Sequence, residues 1–168
     1  QNFRRNGKDP EIFAERFIPN AHHVEVQLLG DEHGGLVHFG TRNCSIQLRY
    51  QKVIEEAPAP FLSKAQEKEL YKYALRFGEH IEYTNAGTVE FLVDRKGNIF
   101  FLEFNPRLQV EHRVTELITG RDLVKHQIEI AQGGRVPAQD EIRFDGSAIE
   151  ARVNAHKFHE GTLLPAGG

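Results

Sequence analysis

The sequence predicts an α+β domain in which antiparallel strands form a sheet and helices flank it. Two pairs of strand-like segments are each joined by a short turn-forming stretch, as in β-hairpins. An amphipathic segment with a helix-start signal lies between the two pairs. The chain has 168 residues, of which 39% are hydrophobic and 27% are charged, which is ordinary for a globular domain.

The first predicted hairpin joins residues 23–29 to residues 36–39 through the turn cluster 30–35. Residues 23–29 alternate between polar and apolar side chains and then become continuously apolar, as strands do. Glycine and acidic residues fill the intervening stretch, a composition typical of turns. Ahead of the hairpin, residues 12–18 also form a strand-like run, and the polar residues 1–11 are expected to be loop.

A helix is predicted after residues 40–60, which show little periodicity. Ser63 followed by Gln66 fits a capping box, in which each residue satisfies a backbone N–H of the other. Gly78 is well placed as the residue that ends the helix. The apolar residues between them recur at helical spacing: Leu70, Tyr73, Ala74 and Phe77.

The second predicted hairpin joins residues 88–93 to residues 98–104 through the turn residues Asp94-Arg95-Lys96-Gly97. A helix or helix pair is expected over residues 114–131, with Gly120 as a break. Both features complete the α+β pattern.

A second unit is predicted to start near the C-terminal end. Residues 135–146 are polar and resemble a linker, and residues 148–154 have the pattern of a strand. We therefore divide the chain into residues 1–140 and residues 141–168. The chain begins at Gln1 rather than Met and stops soon after an apolar pair, so both ends are expected to be cuts.

Composition excludes several classes of function. Lys and Arg number 21 and Asp and Glu number 24, so the net charge is −3 and broad binding to nucleic acid or membrane surfaces is not expected. No apolar run is long enough to cross a bilayer. The single Cys44 cannot form an internal disulfide and is expected to be a small core residue.

Residues 103–111 concentrate the polar chemistry of the chain. In an extended chain, residues two apart share a face, and here the even positions are apolar. Pro106 can bend the path, so the alternation is held loosely beyond it. The odd positions would form one polar face: Glu103, Asn105, Arg107, Gln109 and Glu111.

Glu90 adds a third carboxylate from the neighbouring strand. With the four-residue turn closing the hairpin, Glu90 would face Phe101 and be a diagonal neighbour of Glu103, roughly 7–8 Å away at Cα. Together with Asn105 they offer only oxygen ligands, which suit Mg²⁺ or Mn²⁺ better than zinc. From the pattern alone, a hairpin with an exposed charged face is the alternative.

Five motifs stand out along the chain: HVEVQ (23–27), CSIQ-x-x-x-QKVIEEAPAP (44–60), AGTVEFL (86–92), FLEFNPRLQVEH-x-VTE (101–116) and ARVNA (151–155). Together they resemble the biotin carboxylase component of biotin-dependent carboxylases, a branch of the ATP-grasp superfamily. The resemblance covers about residues 13–155, and the NPRLQVEH segment separates this branch from most other ATP-grasp ligases. It implies that residues 1–140 are the C-terminal part of an ATP-grasp domain and that residues 141–168 begin the biotin carboxylase C-terminal domain.

The resemblance implies a role for each matching position. Glu111 matches the general base, and Arg152 matches the arginine that steadies the biotin enolate; with Lys52 and Arg107 they make the implied catalytic set. The implied metal ligands are Glu90, Glu103 and Asn105. The implied bicarbonate pocket is Lys52, Arg107, Gln109 and the backbone of Val110. The implied ATP contacts are Glu15, Arg16, Phe17, Ile18, His23, Gln47, Tyr50, Glu90 and Glu103.

The implied reaction joins ATP and bicarbonate into carboxyphosphate, which carboxylates biotin on a carrier protein. ATP, Mg²⁺ or Mn²⁺ and biotin are the implied cofactors, and a biotin carboxyl carrier and a carboxyltransferase are the implied partners. Homodimers are common in the family, and its members occur in the bacterial cytoplasm or the mitochondrial matrix. The final acceptor of the carboxyl group lies outside what these motifs specify.

Two alternatives remain open at this point. Another ATP-grasp ligase, similar to carbamoyl-phosphate synthetase, would share Glu90, Glu103 and Asn105. It would not need Gln109-Val110-Glu111 or Arg152. A truncated nucleotide-binding module is the other, because the glycine-rich phosphate loop of the family is not in the chain. For that reason the isolated chain is expected to be inactive.

Some positions depart from the family pattern or have a plain structural interpretation. Tyr50 stands where the family commonly has His or Asn, and Leu48 replaces a usual Arg. Glu55 and Glu56 are interpreted as structural carboxylates that close a loop. On a strand His22 and His23 would point in opposite directions, so a shared metal site is not expected there.

Overall fold

The computed structural model describes residues 14–153, 155–159 and 162–165. The predicted loop 1–11, the start of the strand-like run 12–18 and Asn154 of the last motif lie outside the described residues. The strands are β1 (His22–Gly30), β2 (Leu36–Leu48), β3 (Gln51–Ala57), β4 (Asn85–Val93), β5 (Ile99–Asn105), β6 (Ala148–Ala151), β7 (His156–His159) and β8 (Thr162–Pro165). The helices are α1 (Lys64–His80), α2 (His112–Thr119) and α3 (Leu123–Ala131), with a 3₁₀ turn at Gln139–Glu141.

Six strands form one antiparallel sheet in the order β5-β4-β1-β2-β3-β6, and β7 pairs with β8. The α+β prediction is therefore confirmed. Among the described residues no helix is both long and apolar enough to cross a membrane.

β1 lies inside the sheet and is buried on both faces. One face carries Val24, Val26 and Leu28, which pack with residues of α1 in the main hydrophobic core. The other face carries Glu25 and Gln27, which are also fully buried. Because buried polar groups need partners, this second face must be matched by polar side chains of the surrounding elements.

α1 begins as predicted but ends later than predicted. The hydroxyl of Ser63 accepts from the backbone of Gln66 and both halves of the capping box are present. The helix continues through Gly78 to His80, so the predicted helix end at Gly78 is wrong. A Cβ at Gly78 would come within 2.8 Å of Leu36, so this glycine permits close packing of α1 on the first hairpin.

The first hairpin is longer than predicted, and β3 was not predicted. β2 continues to Leu48. Its residues 37–44 are all buried, so the sequence there lacks the polar–apolar alternation by which a strand is predicted. Glu55 and Glu56 therefore lie on β3 rather than in a loop. The described part of the run 12–18, residues 14–18, is not a strand.

The second hairpin differs from the prediction in register. Glu90 lies directly opposite Glu103 rather than opposite Phe101, because the turn pairs Val93 with Ile99 and a β-bulge shifts the ladder by one further residue. Without that irregularity Glu90 would face Leu102, and the side chain of Glu103 would point to the other face of the sheet. The bulge therefore brings the two carboxylates together.

The C-terminal segments pack onto the same sheet. Gly120 has φ of 63° and ends α2, as its predicted role as a break requires. In the predicted linker, Ile142 packs with Leu29 and Phe39 in a second core cluster. β6 pairs with β3 and ends at Ala151, three residues earlier than predicted. The boundary between residues 140 and 141 stays a prediction.

Candidate active site

A row of charged side chains crosses four strands of the sheet. Arg42 on β2 lies opposite Glu25 on β1, Glu25 lies opposite Glu90 on β4, and Glu90 lies opposite Glu103 on β5. Directly opposed residues of an antiparallel pair share a face, so all four side chains point to the same side. Like charges in such positions repel each other, so the row requires cations close by.

Lys52 supplies the central cation. Its ammonium group donates to Glu25, to Glu90 Oε1 at 2.9 Å and to Glu111 Oε1 at 2.8 Å. An ammonium group has three N–H donors, and each of them has a carboxylate acceptor here. Although burial favours the neutral amine, the charge of Glu25 and the hydrogen bonds to these carboxylates raise the pKa of Lys52.

Glu90 is the most strongly perturbed acid of this cluster. Burial opposes its ionisation, but hydrogen bonds from His23 and Lys52 lower its pKa to about 2. His23 Nε2 lies 2.6 Å from Glu90 Oε2, and Gln47 donates to the other ring nitrogen of His23 at 2.9 Å. Glu90 is therefore ionised at neutral pH.

The predicted metal ligands lie together. Asn105 Nδ2 lies 2.8 Å from Glu90 Oε1 and 3.1 Å from Glu103 Oε1, so both carboxylates converge on one amide. The nitrogen and oxygen of such an amide exchange places by a simple flip, which would add a third oxygen. Two carboxylates and an amide oxygen suit Mg²⁺ or Mn²⁺.

Glu111 lies between two cations. Its Oε1 accepts from Lys52, and its Oε2 accepts from Arg152 Nη2 at 2.9 Å. Burial alone would raise the pKa of Glu111, but the hydrogen bond and charge of Lys52 lower it. Arg152 Nη2 also lies 2.6 Å from Glu55 Oε1, and Glu55 is fully buried.

One cavity of about 450 Å³ collects most residues of the predicted chemistry. Polar side chains and one exposed apolar residue, Val110, line it. The lining residues are Tyr50, Gln51, Lys52, Arg107, Gln109, Val110, Glu111 and Arg152. The structure thus brings together every residue predicted for catalysis and for bicarbonate.

The segment 103–111 reaches this cavity by a different path from the one predicted. The extended alternation ends with β5 at Asn105, and the chain then turns before α2. Gln109 and Glu111 are buried, whereas the side chain of Arg107 is exposed and donates to Leu108 O at 3.3 Å. The prediction of one shared polar face is therefore wrong beyond Pro106. This is the residue at which a bend in the extended chain was allowed for.

The predicted ATP contacts are only partly assembled. Four of them lie together around the carboxylate of Glu90: His23, Gln47, Glu90 itself and Glu103. Residues 15–17 are exposed coil, and Phe17 is 82% exposed. Tyr50 is 96% exposed at the rim of the cavity. His22 stacks on Phe61, so the two neighbouring histidines do point in opposite directions as predicted.

Arg42 is a central residue of the site that sequence reasoning missed. It is fully buried and donates to Glu25 at 3.0 Å and to Gln109 Oε1 at 3.1 Å. Gln109 in turn donates to Glu90 Oε1 at 2.8 Å, so Arg42 connects the sheet to the cavity wall. Its remaining acceptors are Gln27, Thr88 and Thr115.

Comparison with known proteins identifies the family of the chain. Over residues 4–139 the chain matches the family described as carbamoyl-phosphate synthase L chain, ATP binding domain. It is 53% identical over 163 residues to pyruvate carboxylase 1 of Caenorhabditis elegans, and this covers 95% of the chain and 14% of that protein. It is 51% identical over 161 residues to biotin carboxylase 2 of Bacillus subtilis, with 95% and 36% covered. The chain belongs to the biotin carboxylase branch of the ATP-grasp superfamily.

Solved structures agree with this membership. A biotin carboxylase of Campylobacter jejuni in a β-γ-ATP complex has a TM-score of 0.86 and 42% identity, covering 90% of this chain and 33% of that one. The biotin carboxylase domain of Hydrogenobacter thermophilus 2-oxoglutarate carboxylase, a dimer with MgADP and bicarbonate, has a TM-score of 0.81 and 48% identity, covering 84% and 31%. The ATP-grasp prediction is confirmed. The chain spans between 14% and 36% of the proteins it matches here.

Proposed function

We propose that this chain is the metal- and bicarbonate-binding wall of an ATP-dependent biotin carboxylase. The observation that carries the proposal is the placement of Glu111 between Lys52 and Arg152 in one cavity. A carboxylate beside two cations suits an anionic substrate whose proton must be removed. In the complete protein, ATP and bicarbonate would form carboxyphosphate, and biotin on a carrier would then be carboxylated.

Glu90, Glu103 and Asn105 would hold Mg²⁺ or Mn²⁺ in this proposal. A bound divalent ion neutralises the phosphate charge of ATP during phosphoryl transfer. The ammonium group of Lys52 and the amide of Gln109 also contact Glu90, so metal binding requires these contacts to rearrange. His23 and Gln47 would lie beside the nucleotide, with residues 15–18 and Tyr50 nearby.

Lys52 and Arg107 would bind bicarbonate, together with Gln109 and the backbone of Val110. Arg107 is exposed at the cavity and its planar guanidinium matches a carboxylate-like anion. Glu111 would take the bicarbonate proton while the oxygen attacks the terminal phosphate. Arg152 would steady the negative charge of the biotin enolate, a preorganised electrostatic effect.

The partners in this proposal are a biotin carboxyl carrier and a carboxyltransferase. Named relatives include mitochondrial and bacterial enzymes, so mitochondrial matrix and bacterial cytoplasm are both compatible compartments. A dimer is named for the Hydrogenobacter thermophilus domain, which supports the same assembly here. We also propose that the isolated chain has no turnover, since the family's glycine-rich phosphate loop is not in it.

Bicarbonate-dependent ADP release by the full-length protein tests the proposed function. We expect free biotin to stimulate release in the presence of Mg²⁺, and Glu111→Gln to abolish the stimulation. Glu79→Gln, a change of the same kind at an exposed position of α1, should have no effect. Stimulation by ammonia instead of biotin would replace this proposal with a carbamoyl-phosphate synthetase-like activity.

A further inference from the structure

Glu55 is a buried carboxylate that the proposed reaction does not use. It lies on β3, is fully buried and does not line the cavity. Within the described ranges its one ion-pair partner is Arg152, whose Nη2 lies 2.6 Å from Glu55 Oε1. The same nitrogen lies 2.9 Å from Glu111 Oε2, so the two acids share one end of the guanidinium.

This arrangement is costly unless Arg152 stays in place. A carboxylate loses its hydration when it is buried, and without a cationic partner that loss is not offset. Burial raises the pKa of Glu55, and the charge of Arg152 opposes that rise. The side chain of Arg152 is partly exposed, and the residue follows the end of β6, where its backbone N–H donates to Val53 O on β3 at 2.9 Å.

An irregular register on β3 brings Glu55 close to Arg152, which lines the cavity. On a regular strand, residues three apart point to opposite faces. Glu55 and Lys52 are three residues apart. Lys52 nevertheless contacts Glu111, and Glu55 contacts Arg152, which in turn contacts Glu111. The ladder between β2 and β3 is irregular around Ile46 and Gln47, which allows both side chains to reach the same acid.

We propose that Glu55 is a positioning residue for Arg152, holding one end of its guanidinium so that Arg152 stays beside Glu111 at the cavity. The inference rests on the proposed function, because it assigns Glu55 to the biotin-dependent step in which Arg152 acts. Glu55 does not line the cavity, so its effect is transmitted through Arg152.

Glu55→Gln in the full-length protein tests the proposal, because it keeps the size of the side chain and removes its charge. We expect a loss of about 10–100-fold in biotin-dependent kcat/KM, by analogy with the loss caused by removing a residue that orients a metal ligand. The KM for ATP should change much less. Glu56→Gln is the matched control, since Glu56 is the next residue on β3 and accepts a hydrogen bond from Asn43 instead. Its activity should stay at the wild-type value.

A double variant separates positioning from a general structural effect. If Glu55 acts through Arg152, Glu55→Gln adds no loss to Arg152→Ala. If the fold-losses of the two single variants multiply in the double variant, the proposal is overturned. Unchanged biotin kinetics in Glu55→Gln would overturn it as well. If Glu55→Gln does not fold, Glu55→Asp replaces it; the shorter acid should give an intermediate, biotin-specific loss, and wild-type kinetics would again refute the idea.

A crystal structure of the Glu55→Gln protein keeps this test independent of the proposed function. We expect Arg152 to leave its position between the two acids, with the distance from Nη2 to Glu111 Oε2 lengthened or the guanidinium turned. An unmoved Arg152 overturns the proposal. A wild-type protein without biotin-dependent activity would refute the proposed function alone, and the position of Arg152 would still decide the role of Glu55.

Discussion

His38 should make the stability of the fold depend on pH. Its ring stacks on Tyr71 at 3.8 Å between centroids and is 9% exposed. The backbone N–H of Gly40 donates to His38 Nδ1 at 3.3 Å, and only a neutral ring can accept there. Burial accordingly lowers the pKa of His38 from 6.5 to about 4.

The sign and size of the effect follow from this difference. Because the folded pKa lies below the unfolded one, the stabilising contribution is complete above about pH 6.5 and is lost as the pH falls toward 4. Each unit of difference between the folded and unfolded pKa values corresponds to about 1.4 kcal/mol. Roughly 3 kcal/mol of unfolding free energy should therefore be lost over this pH window. That is a large share of the stability of an ordinary domain.

Urea unfolding at a series of pH values measures this loss. His38→Gln should be less stable at neutral pH, because the stack on Tyr71 is weakened, but its stability should fall less between about pH 6.5 and 4. Between about pH 6.5 and 4, the variant should lose about 3 kcal/mol less unfolding free energy than the wild type. His80→Gln is the control, since His80 is exposed at the end of α1. Parallel pH curves for the wild type and His38→Gln would refute the reasoning.

Three further changes test other parts of the structure. Arg42→Met should destabilise the protein by about 3–5 kcal/mol in urea unfolding, because Glu25 is left buried without Arg42; the exposed Arg49→Met should cost little. Glu103→Gln should weaken Mn²⁺ binding at least about tenfold in a titration followed by electron paramagnetic resonance, because one carboxylate charge is lost; equal affinity would remove Glu103 from the metal site. Ser63→Ala should lower the free energy of unfolding by about 1 kcal/mol through the loss of the helix cap, and an unchanged melting temperature would contradict that.

Local signals in the sequence were sufficient for the elements that rely on local chemistry. The capping box at Ser63, the turn after Val93 and the break at Gly120 each depend on residues close together in the chain. β2 was cut short because its central residues are buried on both faces, which removes alternation. The register of the second hairpin could not be derived either, since a β-bulge leaves no mark in the hydrophobic pattern.

The site was predicted through its cavity-facing residues, not through the residues that support them. Lys52 and Glu111 follow from the resemblance, and the structure places them in contact. Arg42 and Glu55 lie inside strands, where a charged residue usually indicates an exposed face. A signal was present at Glu25, because it lies between Val24 and Val26 in a strand that turns fully apolar, and its charge then has to be matched inside the protein.

The contacts of Lys52 place a condition on any anion that enters the cavity. All three of its donors are engaged by carboxylates, so an anion can bind Lys52 only if one carboxylate withdraws. Glu25 is fixed by Arg42, and Glu90 is held by His23, Asn105 and Gln109, whereas Glu111 lines the cavity. Glu111 keeps its contact with Arg152 through Oε2, and we propose that its Oε1 is the oxygen that leaves Lys52. Loss of that contact would remove the hydrogen bond and charge that lower the pKa of Glu111. Entry of the anion and activation of Glu111 as a base would then be the same event.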